Sequence, residues 1–566
     1  MRIDWDVPIA MDDGAVLYAD VFRPAAGGPD PVILNLGPYC KGYAFQEYAP
    51  IQWQQLIGEH PDVARGTTNA YAQWETADPE KWVARGYAVV RVDARGTGRS
   101  PGFMDPWSMQ ERRDYYAAIE WAGVQPWSNG KVGLAGVSYH AANQWMVATL
   151  KPPHLAAICI WEGMADFYRD AARHGGILCD FWLFWIKKQA AKMQHGLGSR
   201  SGKNAHTGKW VTGDDELSAA ELECNRSSFE SALIEQEFDG AFYRERSADP
   251  SQIEVPLLSA GNWGGQGLHL RGNIENFTGA ASKQKWLEIH GLEHWTEFYT
   301  DYGVALQQRF FDHFLKGAEN GWDREPRVQL QVRRPDGFTL RGESEWPLAR
   351  TRWTKFYLHP RDLSLRLDPP AAEAMASYTG FAPGVTFMSA PLEAETEITG
   401  PAAAKLFLAS STADADVFVI LRAFDPDGKE VLFSGATDPH TPIGQGWLRA
   451  SHRKLDPARS EPHRPVHAHD EKWPLVPGAA VELDIEIWPT CIVLPAGYRI
   501  GLTVQGKDYD EGGGAEISNS GNTLRGSGVF IHTDPRDRDA QIFAGECTLH
   551  TGPAQPAFVL LPIIPS

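Results

Sequence analysis

Residues 131–148 read Lys131-Val132-Gly133-Leu134-Ala135-Gly136-Val137-Ser138-Tyr139-His140-Ala141-Ala142-Asn143-Gln144-Trp145-Met146-Val147-Ala148. The apolar run Lys131–Ala135 follows the turn signal Ser128-Asn129-Gly130 and predicts a short buried strand. Ala142–Ala148 has the composition of a helix. A serine in a small-residue turn between a strand and a helix is the setting of a nucleophile elbow. The sharp turn lifts the hydroxyl above the sheet, and the helix N-terminus puts partial positive charge beside a developing oxyanion. Two residues after the serine stands His140, where the common elbow pattern has glycine. A plain N-cap serine fits the same local pattern, so the reading of Ser138 as a nucleophile depends on what the rest of the chain supplies.

On either side of this stretch the chain alternates strands and helices. Pro31-Val32-Ile33-Leu34 and Tyr87-Ala88-Val89-Val90-Arg91-Val92 read as buried parallel strands, and Asp114–Trp121 has helical spacing. Ala156–Trp161, Val255–Ser259 and Trp286–Ile289 supply further strands. The alternation predicts an α/β class with a doubly wound sheet, built from residues 1–165 and 246–322. Residues 166–245 read as a helical cap above the carboxyl ends of the strands, where such sheets bind ligands. The cap carries Phe181-Trp182-Leu183-Phe184-Trp185-Ile186, a run suited to core packing or to the wall of an apolar pocket. Phe181 and Trp182, with Trp161 and Trp263, are the candidate substrate-binding residues. From 323 to 566 the period changes to two. Val328, Leu330 and Val332 alternate with polar residues, as do Val481, Leu483, Ile485 and Ile487. With turns such as Asp425-Pro426-Asp427-Gly428, this predicts an all-β sandwich.

The 566 residues are 43% apolar and 22% charged, enough for several full cores. A net charge of -19 argues against nucleic acid and anionic membranes as partners. No apolar run approaches the roughly 18 residues of a membrane span, and the N-terminus lacks a signal-peptide core. The six cysteines are scattered without a C-x-x-C pair, which fits free thiols in a reducing cytoplasm. The expected partner is a small molecule, no cofactor or metal is expected, and homo-oligomerisation stays open.

A serine nucleophile needs a base, and the base needs an acid to orient it. In this class of sheet the chain order is serine, acid, histidine. The last predicted strand runs into His290-Gly291-Leu292-Glu293-His294-Trp295, which puts His294 in the loop where the base belongs. His290 points along the strand. Two histidines four apart can bind a metal, but on a strand-to-loop segment their geometry is wrong for it.

Several motifs in order give the chain a family resemblance. They are Met11-Asp12-Asp13-Gly14 with Ala19-Asp20-Val21-Phe22-Arg23-Pro24; Gly37-Pro38-Tyr39; Asp93-Ala94-Arg95-Gly96-Thr97-Gly98-Arg99-Ser100; Gln125-Pro126-Trp127-Ser128-Asn129-Gly130-Lys131-Val132-Gly133; Gly136-Val137-Ser138-Tyr139; and Asp166-Phe167-Tyr168-Arg169. With these the chain resembles the CocE/NonD hydrolases of the X-Pro dipeptidyl-peptidase-like superfamily over nearly its whole length. The resemblance implies an α/β-hydrolase domain, a helical cap, and a C-terminal jelly-roll on the catalytic face. It also implies a Ser-His pair that cleaves esters or amides. The oxyanion donors it implies are the Tyr39 hydroxyl and the backbone N–H of Tyr139.

One departure stands out. The family usually carries its acid after the penultimate strand in a Gly-Trp-Tyr-Asp pattern, and this chain has Ala260-Gly261-Asn262-Trp263-Gly264-Gly265, with Gly264 at the acid position. A neutral histidine still needs a partner to fix its tautomer, an effect of about 10⁴ in rate. Glu162, at the carboxyl end of the strand after the elbow, is the expected substitute. It should then lie about 2.6–3.2 Å from His294 Nδ1. Asp166, Asn262, Glu293 and Asp301 are weaker candidates. The run Gly264-Gly265-Gln266-Gly267 lacks the Lys-Ser/Thr of a phosphate loop and predicts close backbone approach to the site. His463, His467 and His469 read as surface or domain-interface residues.

The function expected is a serine carboxylesterase. The alternatives are an amidase or acylase, an X-Pro dipeptidyl-peptidase, or a binding protein that has lost catalysis. The peptidase needs carboxylates for a free α-amino group and usually carries an extra N-terminal domain, whereas this chain begins at its first strand.

Overall fold

The computed structural model describes residues 1–511, 516–517 and 523–565. Eight strands build the catalytic sheet: β1 (Arg2–Ala10), β2 (Val16–Arg23), β3 (Asp30–Gly37), β4 (Ala88–Asp93), β5 (Ser128–Val137), β6 (Leu155–Trp161), β7 (Leu257–Asn262) and β8 (Lys285–His290). Their order is β1-β2-β4-β3-β5-β6-β7-β8, antiparallel as far as β4 and parallel from there on. β4 is buried along its whole length and β3 along nearly all of it, as expected of strands covered on both faces.

Four helices cover the sheet: α1 (Met109–Gly123), α2 (Tyr139–Ala148), α3 (Leu270–Gly279) and α4 (Asp301–Lys316). Ser108 caps α1 by accepting the Glu111 N–H, and Thr300 caps α4 by accepting the Gly303 N–H. Every residue of α2 is buried, which accounts for its lack of a polar face. Separate apolar clusters fill the two sides of the sheet, and a third fills the C-terminal region.

The sheet does not stop at the expected boundary near residue 322. A ninth strand, β9 (Val328–Arg334), pairs in parallel with β8 and then antiparallel with Gly337–Glu343. It carries the chain into a β-rich C-terminal region. There Thr396–Ser410 pairs with Val481–Leu494, Glu546–Thr551 and Phe558–Ile564, all antiparallel. The period-two reading holds: Leu483, Ile485 and Ile487 are buried, while Glu482, Asp484 and Glu486 alternate with them.

The segment between β6 and β7 is made of short helices and one two-residue hairpin, Arg173–His174 with Ile177–Leu178. The C-terminal region reaches across the carboxyl edge of the sheet. The Ala436 N–H donates to Gly264 O (3.1 Å) and the His294 N–H donates to Ala436 O (3.0 Å). His467 and His469 are buried in this interface, where the Arg169 guanidinium donates to His467 O. His463 stacks on Trp353. Among the described residues no helix is long and apolar enough to cross a membrane.

Candidate active site

Ser138 sits between β5 and α2 with φ of 59°. A non-glycine residue in the left-handed region costs of order 1–3 kcal/mol and persists only where its surroundings fix it. Here the Ser138 N–H donates to the carbonyls of Trp161 and Glu162 (3.1 and 3.0 Å). Tyr139 is the first residue of α2, so its N–H has no acceptor within the helix. His140 takes the place of the usual elbow glycine because other residues have given way. A Cβ on Gly37 or Gly136 would fall 2.2 or 2.4 Å from His140 side-chain atoms. Burial pushes His140 down to about 4 and keeps it neutral.

Cys40, Glu75, Trp107, Glu162 and Leu292 also have positive φ, between 53° and 67°. Each lies on one of the loops that converge on Ser138 or in contact with its neighbours. Strain of this kind concentrates at functional sites.

One imidazole meets the serine, and a second stacks on the first. Ser138 Oγ lies 3.1 Å from Nε2 of His269, the residue just before α3. His294 stacks on His269, with ring centroids 5.2 Å apart and planes 20° from parallel. The hydrogen bond expected between Ser138 and His294 is not made: His294 Nε2 lies 3.1 Å from Glu75 Oε1. Glu162 Oε2 lies 2.8 Å from His294 Nδ1. The carboxylate is therefore within the distance expected, on the nitrogen expected.

The two rings differ in protonation. The Met164 N–H donates to His269 Nδ1 (3.1 Å), so the neutral ring carries its proton on Nε2 and donates it to Ser138 Oγ. Burial holds His269 well below the usual imidazole range, and neighbouring His294 pushes it the same way. His294 has a carboxylate on each nitrogen. Burial opposes its charge, but Glu162 and then Glu75 outweigh that and raise it to about 10.

Glu162 belongs to a longer buried series. Glu288 Oε2 lies 2.7 Å from His290 Nδ1, and His290 Nε2 lies 3.2 Å from Glu162 Oε1. Glutamates and histidines thus alternate from Glu288 through His290, Glu162 and His294 to Glu75. Burial raises Glu162, but His294 and His290 more than offset it and hold it at about 2. Burial opposes the charge on His290, yet the flanking glutamates raise it to about 10.

Gly264 has no room for an acid. A Cβ there would lie 2.2 Å from the Gly435 Cα, so the close approach predicted for this glycine run is to the C-terminal region. Asn262 braces the substitute, its Nδ2 donating to Glu162 Oε1 (3.3 Å) and Leu292 O (2.8 Å). Of the other weak candidates, Asp166 pairs with Arg169, Glu293 accepts from the Ser434 hydroxyl, and Asp301 is exposed beside Arg65.

The Tyr39 hydroxyl accepts from Trp185 Nε1 (3.2 Å), leaving its own proton free, and its ring packs edge-on against Tyr139 and His140. Trp107 and Trp185 stack with Tyr139 and line this side of the elbow. Of the expected binding aromatics, Trp182 packs edge-on against Trp107 and Trp185, and the Trp161 carbonyl accepts the Ser138 N–H. Trp263 is fully buried in the opposite cluster and donates to Gln331 O, which corrects its reading as a binding residue. Phe181 packs on Phe530, and Trp182 donates to Ala171 O, so this end of the aromatic run packs the interior. Trp161 is buried and stacks on His290. His269 and Glu75 have no role in the sequence-based expectation, while Trp185 belongs to the run 181–186 expected to form core or the wall of a pocket. His269 follows the glycine run in the loop that usually supplies the acid, which was a signal available to be read; Glu75 had none.

Residues 13–296 match the X-Pro dipeptidyl-peptidase (S15 family) model, and residues 320–560 match the X-Pro dipeptidyl-peptidase C-terminal non-catalytic domain. The chain belongs to the S15 family. The structure of a CocE/NonD family hydrolase from Staphylococcus aureus is similar to this S15 member at a TM-score of 0.85, with 31% identity over 99% of this chain and 94% of that one. The cocaine esterase of a Rhodococcus species is 23% identical over 99% of this chain and 98% of its own length. A Mycobacterium tuberculosis protein named as a serine esterase is 26% identical, covering 88% and 90%. This S15 member is a serine hydrolase with an α/β-hydrolase core and a β-rich C-terminal domain.

Proposed function

We propose that this S15 serine hydrolase is a carboxylesterase working through an acyl-enzyme on Ser138. The observation that carries the reading is the left-handed Ser138 at the head of α2, its oxygen hydrogen-bonded to an imidazole. His269 donates to that oxygen, so the serine's own proton must go to another base. His294, the neighbouring ring, takes that role, with Glu162 fixing its tautomer and stabilising the imidazolium. As Ser138 Oγ attacks the acyl carbon, its proton passes to Nε2 of His294 in the ring's neutral form and then to the departing alcohol. Water repeats the sequence to release the acid. The Tyr139 N–H and the Tyr39 hydroxyl donate to the oxyanion.

Esters are favoured over amides by the names of the Rhodococcus and Mycobacterium relatives, and Trp107 and Trp185 favour an apolar acyl group of small or medium size. Amidase or X-Pro dipeptidyl-peptidase activity is the second reading, supported by the family's own name. Loss of catalysis is disfavoured by the left-handed Ser138 hydrogen-bonded to His269 and by the Glu162–His294 pair stacked beside it. The C-terminal domain we read as a jelly-roll over the catalytic face. Matched p-nitrophenyl ester and p-nitroanilide substrates test the assignment. The ester should be cleaved at least 10²-fold faster, and a faster anilide, above all an X-Pro anilide, would reverse it.

A further inference from the structure

Glu75 is absent from the mechanism above, yet it occupies the nitrogen that the mechanism needs. Its Oε1 lies 3.1 Å from His294 Nε2. The residue is 3% exposed, with the Trp74 indole also bearing on its carboxylate. Its position relative to the elbow is fixed through the backbone. The Val137 N–H, one residue before Ser138, donates to Glu75 O (3.0 Å), and a Cβ on Gly136 would lie 3.2 Å from that oxygen. The loop holding Glu75 is thus fastened to the end of β5, and φ at Glu75 is 61°.

We propose that Glu75 is a positioning residue that latches the Nε2 side of His294 and governs when that ring can serve Ser138. The inference rests on the reading of His294 as the base. One hydrogen on Nε2 points either at Glu75 or at the serine. With carboxylates on both nitrogens the ring rests as an imidazolium, which cannot accept another proton. To become a base it must break its Nε2–H bond. The nearest acceptor is Glu75, where an O–H bond forms as the N–H bond breaks. The lone pair left on Nε2 then receives the Ser138 proton as the serine attacks.

The groups facing this pair come from several elements. Glu162 lies on the far nitrogen, the neutral His269 ring is stacked alongside, and His290 stands beyond Glu162. The phenols of Tyr39, Tyr48 and Tyr299 feel the Glu75 charge. Burial raises the Glu75 carboxyl, partly offset by its bond to His294, which eases the passing of a proton from the ring to Glu75. The Glu75 charge in turn holds His294 above its ordinary range, so the free base appears only as pH rises.

The test is Glu75→Gln in the full chain. Glutamine keeps the shape and an acceptor for the Nε2–H, but carries no charge and takes no proton. The acid limb of kcat/KM should move at least one unit toward lower pH, and the rate of Ser138 labelling by a fluorophosphonate should follow the same shift. Glu75→Asp should move the limb back toward wild type. A Gln variant of unchanged Tm with an unmoved acid limb overturns the proposal. The NMR titration of His294 in the Ser138→Ala protein, with and without Glu75→Gln, reads the latch without any activity. A raised His294 that falls when Glu75→Gln is added supports the latch whatever the substrate proves to be, and a value near the ordinary 6.5, or one that Glu75→Gln leaves unmoved, overturns it. Full hydrolysis by Ser138→Ala would instead overturn the proposed function.

Discussion

Glu162 Oε2 stands 2.8 Å from Nδ1 of His294, across the end of a sheet whose usual acid position is occupied by Gly264. In the proposed mechanism the acid stands at the end of β6 rather than at the end of β7, and it meets the imidazole at Nδ1. Glu162→Gln should lower kcat by about 10⁴ with little change in KM, because the glutamine amide cannot stabilise the imidazolium. Circular dichroism should show the fold retained. A Gln variant near wild-type kcat would assign Glu162 to structure alone.

The two histidines should separate by magnitude. His294→Ala removes the proposed base and should reduce kcat by 10⁴ or more, whereas His269→Ala removes one hydrogen bond to Ser138 and should cost about 10–10². Steady-state kinetics on both variants decides. If the His269 variant is the dead one, the base assignment passes to that ring.

Tyr39→Phe removes a donor without changing the ring. It should lower kcat by about 10²–10³ at similar KM if the hydroxyl meets the oxyanion. A change confined to KM would make Tyr39 a wall of the pocket.

Gly264→Asp restores the family's acid to a place that has no space for it. Its Cβ would press on the Gly435 backbone, so the variant should lose several degrees of Tm, since overpacking costs roughly 1–3 kcal/mol. Combined with Glu162→Gln it should recover no activity. A stable and active double variant would contradict the relocation.

His290, between Glu288 and Glu162, ties stability to pH. Its folded pKa is raised to about 10, so its contribution is complete below the unfolded value near 6.5 and is lost as pH rises through about 10. Tm of the wild type should fall across that alkaline window more steeply than Tm of a His290→Asn variant. Equal slopes would mean that the ring is neutral at rest.

The strands of the catalytic sheet were readable because long apolar runs and turn signals are local properties, as was the elbow. The Ser138-to-acid logic led to Glu162 because chain order and strand ends constrain where a carboxylate can stand. What the sequence could not display was contact between distant loops. Glu75 reaches His294 across 219 positions, and nothing near Glu75 marks it. Trp263 looked like a pocket residue because it neighbours the missing acid, yet its side chain turns to the opposite side of the sheet. The run 181–186 has the composition of either a core or a wall, and only packing separates Trp185, which meets Tyr39, from Phe181 and Trp182, which do not.

The most direct measurement is mass spectrometry of the full-length protein after treatment with a fluorophosphonate. The account predicts one stoichiometric adduct, on Ser138 in the elbow peptide, with labelling abolished in Ser138→Ala and slowed in Glu162→Gln. An unmodified Ser138 alongside full esterase activity, or an adduct on another residue, would contradict it.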